Sequence, residues 1–262
     1  MEALPRARLS FISWGRILLD VVFPRTCRVC DRPLDGHDTT ETLRHWFCKS
    51  CADAMQRVEP PFCEVCGEAF DGVAGSSFQC TNCADRKLAF DFAIAGFRAE
   101  DSVRELIHRF KYNSDLTLRA PLERMMEHAL EDPRLKALPL EQWFLVPVPL
   151  HHVREREREF NQCRELCREL SKRRGIPMID ALKRTRATPK QAQLTRLQRL
   201  KNLHGAFAVK PRYARDDSPL RGRCVLLVDD VFTTGATTNE CARILKRQAG
   251  VEKVVVISVA RG

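Results

Sequence analysis

The chain has 262 residues, with 7% aromatic residues, 30% charged residues and a formal net charge of +10. This length and composition are those of a soluble globular protein, and they exclude a chain too small to bury its own core. Positive charge is concentrated in residues 151–215, which hold 18 Lys and Arg against 6 Asp and Glu, an excess of 12. This segment indicates a polyanionic or phosphorylated partner, with a solvated basic face as the alternative.

Residues 1–22 carry apolar side chains that are interrupted by Arg16 and Asp20. A membrane-spanning helix needs about 18 or more consecutive apolar residues, so we expect no integral membrane span. No small-residue cleavage site follows, which argues against a signal peptide. We predict an amphipathic helix that packs on the rest of the protein, and a membrane-surface role stays open as the less favoured alternative.

Eight of the twelve cysteines form four Cys-x-x-Cys pairs between residues 27 and 83. The paired cysteines are Cys27, Cys30, Cys48, Cys51, Cys63, Cys66, Cys80 and Cys83. Paired knuckles at this spacing are typical of tetrahedral zinc in ribbon-like modules, where the metal supplies much of the folding free energy. We therefore predict a double zinc ribbon over residues 23–87 with two structural zinc ions. Sequential pairing of the knuckles is expected, and interleaved pairing is left open.

A disulfide framework is the first alternative for these cysteines, but nothing in the sequence indicates secretion. A thioredoxin-like redox motif is the second, but such a motif normally occurs once and in a βαβ context. The other four thiols, Cys163, Cys167, Cys224 and Cys241, lie among apolar positions and are expected to be inert core residues.

Residues 88–262 alternate between strand-like and helix-like patterns. Apolar runs predict strands at 90–99, 143–150, 224–230 and 253–260, whereas helical periodicity predicts helices at 102–112, 161–175 and 237–250. Alternation of this kind predicts an α/β fold, a parallel sheet flanked by crossover helices. Ligands bind such folds at the carboxyl ends of the strands.

One strand end, "CVLLVDDVFTTGATT" at 224–238, carries two aspartates, several hydroxyls and a glycine. Thr233, Thr234, Gly235, Ala236 and Thr237 form the predicted turn into the next helix, where backbone N–H groups and hydroxyls can cradle a phosphate. Asp229 and Asp230 suit a diol, because carboxylates accept hydrogen bonds from adjacent hydroxyls. A phosphate beside a cis-diol is a ribose 5-phosphate. The alternative is that the aspartates merely end a strand and Thr237 caps a helix.

"VLLVDDVFTTGATT" resembles the phosphoribosyl pyrophosphate signature of type I phosphoribosyltransferases. Together with the four Cys-x-x-Cys pairs, "VPVPLHHVREREREFNQC", "TPKQAQLTRLQRLKNLHGAF" and the terminal "ISVAR", it resembles the ComF family from about residue 18 onward. The resemblance implies a zinc ribbon followed by a type I phosphoribosyltransferase-like domain, in a cytoplasmic bacterial protein linked to uptake or use of external DNA.

The resemblance also implies roles for individual residues. Asp229 and Asp230 would be catalytic and meet the ribose 2′ and 3′ hydroxyls, while Thr233 to Thr237 hold the 5′-phosphate. Pro147 and Val148 would face the pyrophosphate, with Mg²⁺ bridging pyrophosphate and ribose. Arg156 and Arg158 match the family's R-x-R-G-F-N-Q motif and would stabilise the leaving group. Glu159 departs from the motif's glycine and would bring a negative side chain near the anion site.

Three functions are consistent with these features. The favoured one is a phosphoribosyl pyrophosphate-binding protein of DNA uptake, a phosphoribosyltransferase with an unknown acceptor. The second is a module that binds single-stranded DNA through basic side chains, here Arg184, Lys190, Arg196, Arg199 and Lys201. The third is a scaffold whose ribbons dock a helicase or another DNA-uptake protein.

Overall fold

A computed structural model describes residues 24–34, 42–70, 72, 78–84, 86–186 and 203–262 of the chain. The chain divides into two compact units, Met1–Ala54 and Met55–Gly262. The helix predicted over residues 1–22 lies outside the described residues. No helix among the described residues is both long enough and apolar enough to cross a bilayer.

The first unit contains a turn that carries Cys27 and Cys30, and helix α1 (Lys49–Ala54). Cys48 directly precedes this helix, and Cys51 lies within it. In the turn, the Asp31 N–H donates to the Cys27 carbonyl at 2.9 Å, and the Cys27 N–H donates to the Arg32 carbonyl at 2.8 Å. These two bonds fold the chain tightly around the first cysteine pair and aim both sulfurs to one side.

The second unit begins with a copy of the same turn, 36 residues further along the chain. The Gly67 N–H donates to the Cys63 carbonyl at 2.8 Å, and the Cys63 N–H donates to the Glu68 carbonyl at 2.8 Å. Gly67 (φ +65°) and Asp31 (φ +56°) occupy matching left-handed positions. Helix α2 (Thr81–Ala84) then presents Cys80 and Cys83 as α1 presents the earlier pair. The two ribbons are therefore structural repeats.

The rest of the second unit is built on a four-stranded parallel sheet. Its strands are β1 (Phe92–Arg98), β2 (Phe144–Pro147), β5 (Cys224–Phe232) and β6 (Lys253–Arg261), in the order β1-β6-β5-β2. The inner strands each contain a run of apolar residues, and Val225–Val228 and Val254–Ile257 are fully buried. Strands β3 (Leu182–Arg184) and β4 (Phe207–Val209) form a separate antiparallel hairpin.

Helices cover both faces of the sheet because both faces are apolar. The α-helices after α2 among the described residues of this unit are α3 (Asp101–Tyr112), α4 (Arg119–Glu127), α5 (Pro133–Lys136), α6 (His152–Arg158), α7 (Gln162–Arg174) and α8 (Ala236–Ala249). Helices α4 and α7 pack on each other and on the strands of the sheet. Helix α8 packs with β4, and residues of α8, β3, β4 and the second ribbon share one buried apolar cluster.

The predicted α/β class is confirmed, as are all four predicted strands and three predicted helices. Gly175 (φ +69°) and Gly250 (φ +64°) end α7 and α8 in the left-handed conformation typical of helix C-termini. Helices α4 and α6 and the β3–β4 hairpin were not among the predicted elements.

Candidate ligand-binding site and metal centres

The two aspartates lie at the carboxyl end of β5, in the middle of the sheet. The strand continues to Phe232, so Asp229 and Asp230 are strand residues rather than loop residues, and Asp229 pairs with Ser258 of β6. Residues 233–237, which we call the threonine segment, comprise the turn after the strand and the first two residues of α8. Gly235, not Thr237, is the N-cap of that helix, and the Thr238 hydroxyl donates to the Gly235 carbonyl at 3.1 Å.

Gly235 is required here for two reasons. Its φ of +69° is a conformation that other L-residues rarely adopt, and a Cβ built on it would lie 2.6 Å from Cζ of Phe232. The helix that follows begins at Ala236, six positions after Asp230. The first backbone N–H groups of any helix lack partners within the helix, and they are suited to an anion at this point.

A cavity of about 820 Å³ opens over this strand end. Its wall contains the two aspartates and the threonine segment, together with side chains from α3, α6, α7, β3 and the β2–α6 loop. The predicted site residues that line it are Val148, Arg158, Asp229, Asp230, Thr233, Thr234, Gly235, Ala236 and Thr237. Pro147 and Arg156 do not line it; Pro147 pairs with Val228 inside the sheet, and Arg156 is exposed.

Lys111 is a site residue that the sequence analysis missed. Its Nζ lies 2.9 Å from Oδ1 of Asp230, and the two side chains are 20% and 6% exposed. Burial alone would lower the pKa of Lys111, but the neighbouring carboxylates outweigh burial and raise it. A signal was present in the sequence, because Lys111 follows Val103 and Ile107 at four-residue spacing and so continues the buried stripe of α3. A lysine at such a position needs an anionic partner.

Asp229 lies in a different environment from Asp230. Burial, followed by the adjacent Asp230 carboxylate, raises the pKa of Asp229 to about 7. Its Oδ1 accepts the Asp230 N–H at 2.9 Å and lies 3.6 Å from Sγ of Cys163. Burial also raises the pKa of Cys163 well above its ordinary value, so this thiol stays protonated and can donate to the carboxylate. Cys163 is thus buried, as predicted, but lies at the site instead of in an inert part of the core.

Asn161 fixes the loop that follows β2. Its Oδ1 accepts the N–H groups of Cys163 and Arg164 at 2.9 and 3.3 Å, and it caps α7. Its Nδ2 donates to the Val148 carbonyl at 3.1 Å. One buried amide therefore joins the start of α7 to the cavity wall at Val148, which is a positional role for the asparagine of the F-N-Q motif.

The arginines of α6 divide between the cavity and solvent. Arg158 lines the cavity, lies over the Tyr112 ring at 4.7 Å and donates to Oε1 of Gln162 at 3.1 Å. Arg154, which the sequence analysis did not select, also lines the cavity.

Glu159, at the position where the family motif has glycine, ends α6 in the left-handed conformation with φ +66°. Its side chain is exposed and does not line the cavity. The acidic residue of α6 that does line the cavity is Glu157. A glycine at this position would adopt that conformation without steric cost.

Of the residues predicted to contact nucleic acid, Arg184 is described, and it lines the cavity from β3. Lys190, Arg196, Arg199 and Lys201 lie outside the described residues. Arg184 therefore faces the same space as the aspartates, and burial lowers the pKa of its guanidinium.

The eight knuckle cysteines form two clusters. The first cluster is Cys27, Cys30, Cys48 and Cys51, and the second is Cys63, Cys66, Cys80 and Cys83; within each, all sulfurs lie within 4.8 Å of one another. The sequential pairing is thus confirmed and the interleaved one excluded. Sulfur–sulfur distances of 3.7 Å (Cys30–Cys48) and 3.5 Å (Cys66–Cys80) are close to the ~3.8 Å edge expected for tetrahedral zinc with Zn–S bonds of about 2.3 Å. Both clusters fit structural zinc.

Comparisons with known proteins agree with this architecture. A family model described as a double zinc ribbon domain matches residues 18–85. The chain is 31% identical to competence protein F of Haemophilus influenzae over 220 residues, 83% of this chain and 91% of that protein. It is 31% identical to DNA utilization protein YhgH of Escherichia coli over 227 residues, 86% of this chain and 92% of that protein. Identity to competence protein ComFC of Bacillus subtilis is 25% over 246 residues, 90% and 94% of the two chains.

Proposed function

We propose, because this chain belongs to the ComF family of competence and DNA-utilisation proteins, that it binds phosphoribosyl pyrophosphate and acts in the uptake or use of DNA. The observation that supports this choice of ligand is the cavity at the end of β5, where the two aspartates and the start of α8 line the same space. Its volume of about 820 Å³ falls in the range of small-molecule sites.

The residues that line the cavity suit each part of this ligand. The threonine segment and the first N–H groups of α8 receive the 5′-phosphate, because donors and the helix dipole favour an anion there. Asp229 and Asp230 accept hydrogen bonds from the ribose 2′ and 3′ hydroxyls. Arg154, Arg158 and Lys111 supply positive charge to the pyrophosphate.

Magnesium suits this site as a cation that enters with the ligand. Among the described residues, only the two cysteine clusters bring three or more candidate ligand atoms together, so the cavity offers no protein cage for it. Mg²⁺ commonly keeps few protein ligands and binds phosphate oxygens, where it neutralises charge on the leaving group.

The chemistry that this arrangement supports is phosphoribosyl transfer. The bond between the anomeric carbon and the pyrophosphate oxygen breaks, an acceptor nucleophile forms the new bond to that carbon, and pyrophosphate leaves with the electron pair of the broken bond. The arginines stabilise the charge that develops on the leaving group, and Asp229 and Asp230 hold the ribose in position.

Calorimetric titration with phosphoribosyl pyrophosphate and Mg²⁺ tests this proposal. We expect the wild type to bind and an Asp229→Asn/Asp230→Asn variant not to bind. Asp217→Asn is the matched control, because the Asp217 side chain is 72% exposed and lies outside the cavity. Separate titrations with ribose 5-phosphate and with pyrophosphate measure how much each end of the ligand contributes to the affinity. Absence of wild-type binding would refute the proposal.

Binding of single-stranded DNA is the second candidate function, and Arg154, Arg158 and Arg184 on the cavity wall favour it. Its affinity should fall steeply with salt and change little with base sequence, since such contacts go to phosphates. Fluorescence anisotropy with labelled oligonucleotides at several salt concentrations measures both properties. Competition by phosphoribosyl pyrophosphate would place both ligands in the same cavity.

A further inference from the structure

The second cluster and the threonine segment are connected through Arg261. This arginine ends β6 beside Phe232 and is only 9% exposed. Its Nε donates to the Cys66 carbonyl at 3.1 Å, and its Nη2 lies 3.8 Å from the Cys66 sulfur. Its Nη1 donates to the Phe232 carbonyl at 3.2 Å, the last carbonyl before the threonine segment. Glu68 forms an ion pair with the same guanidinium.

A second arginine makes a parallel connection. The Arg86 N–H donates to the Cys83 carbonyl at 3.1 Å, and its Nη1 donates to the Thr234 carbonyl at 3.3 Å. The carbonyls of Phe232 and Thr234, on either side of Thr233, are therefore both held by arginine side chains. Arg261 contacts the second ribbon through its guanidinium, and Arg86 contacts it through its backbone N–H. The segment also lines the ligand cavity, and there the Ala236 N–H donates to the Thr234 hydroxyl at 3.4 Å.

The second ribbon also packs with Phe232 and Ala236 in one buried apolar cluster, so these hydrogen bonds act beside packing contacts. A separate cavity of about 320 Å³ lies between the cluster and the segment, lined by Cys66 and Cys83 on one side and by Thr233 and Thr234 on the other. Beside this cavity, Arg86 and Arg261 make the side-chain hydrogen bonds to the carbonyls of Thr234 and Phe232. Zinc bound to four thiolates carries a net negative charge, which offsets the buried charge of Arg261.

We propose that Arg261 is a positioning residue through which zinc at the second cluster sets the order of the threonine segment and thereby its affinity for the phosphorylated ribose. The effect on affinity rests on the proposed function, whereas the effect on order does not. Zinc at the second cluster holds the Cys66 turn, the turn holds the guanidinium, and the guanidinium holds Phe232. Release of that zinc loosens the segment without removing any ligand-contacting group.

Hydrogen exchange and zinc content test the inference without a ligand. We expect Arg261→Met to keep two zinc ions per chain, because arginine is not a metal ligand, while the amides of 233–237 exchange roughly tenfold faster or more. Arg261→Lys should give an intermediate rate, since it keeps the charge but not the fork. Cys66→Ser should lose one zinc and show the faster exchange. Cys30→Ser is the matched control, because it should lose one zinc from the first cluster and leave exchange of 233–237 unchanged.

Exchange in β5 residues 225–228 checks that each variant is folded. If Arg261→Met does not fold, stepwise removal of zinc from the wild type with a chelator gives the same comparison. Wild-type exchange in Arg261→Met, or equal effects of Cys30→Ser and Cys66→Ser, would overturn the inference.

Calorimetry with phosphoribosyl pyrophosphate then measures the affinity, which should fall roughly tenfold in Arg261→Met. If the wild type shows no binding, the proposed function fails while the exchange result still decides the coupling. If the wild type binds and Arg261→Met binds equally well, the effect on affinity is refuted even where exchange has changed.

Discussion

Replacing Asp229 with asparagine should stabilise the free protein, although it removes a proposed ligand contact. The pKa of this carboxyl is raised from 3.8 to about 7, mainly by burial and then by the charge of Asp230. The folded state therefore keeps a proton that the unfolded chain releases, and ionisation of Asp229 opposes folding. A shift of about three units corresponds to at most about 4 kcal/mol, at about 1.4 kcal/mol per unit.

The observed gain should be smaller, about 1–3 kcal/mol at pH 8, because asparagine must also leave water when the chain folds. The amide keeps an oxygen for the Asp230 N–H, which now donates at 2.9 Å. The sign of the pH dependence follows from the raised pKa. The contribution of Asp229 to stability falls as pH rises from about 4 to about 7 and is constant above that range. The advantage of Asp229→Asn should thus grow by about 1–2 kcal/mol between pH 5.5 and 7.5 and then level off.

Denaturant unfolding of the wild type and Asp229→Asn across pH 5.5–8.5 measures this difference. Asp217→Asn, at an exposed position, should show no such pH-dependent gain. Asp230→Asn should lower stability by about 1–3 kcal/mol, because it removes the partner of the largely buried Lys111 ammonium. Two adjacent aspartates are therefore expected to give opposite signs. A less stable Asp229→Asn at pH 8, or a gain independent of pH, would refute this account of the site.

Three further substitutions test other parts of the site. Gly235→Ala should lower the free energy of unfolding by about 2 kcal/mol or more and weaken ligand binding, because the added Cβ would meet the Phe232 ring. The control is Gly175→Ala, which has the same φ but open space around it and should lower the free energy of unfolding by only about 1 kcal/mol. Thermal unfolding measures both. Glu159→Gly should stabilise by about 0.5–1 kcal/mol in urea, since it relieves a left-handed residue at φ +66°, and a loss of stability would contradict this. Lys111→Met should lower the free energy of unfolding by about 2 kcal/mol, and adding Asp230→Asn should restore most of that loss. If the losses of the two single variants add in the double variant, the pair is not coupled.

The sheet could be predicted from the sequence because its strands are continuous apolar runs between turn residues. The cysteine spacing likewise predicted both metal clusters, since ligand spacing within a knuckle is a local property. Asp229, Asp230 and the threonine segment were found because they form one contiguous motif at a strand end.

The rest of the cavity wall depends on tertiary contacts. Lys111 reaches Asp230 across 119 positions of the chain, and Arg261 reaches Cys66 across 195. A helical pattern can show that Lys111 continues a buried stripe, but not which carboxylate it meets. Arg154 lines the cavity and Arg156 does not, because successive residues of a helix are rotated by about 100° and these two lie on different sides of α6. Which side of α6 faces the cavity depends on the tertiary structure.

The repeated zinc turn has a consequence for how the chain tolerates substitution. At Asp31 the first copy accommodates a side chain in the left-handed conformation. At Gly67, the same position of the second copy, a Cβ would lie 3.1 Å from the Ala93 carbonyl oxygen of β1. A saturation library should therefore accept many residues at position 31 and few besides glycine at position 67. The two turns share one hydrogen-bond scheme, but contact of the second turn with β1 limits which side chains can occupy position 67.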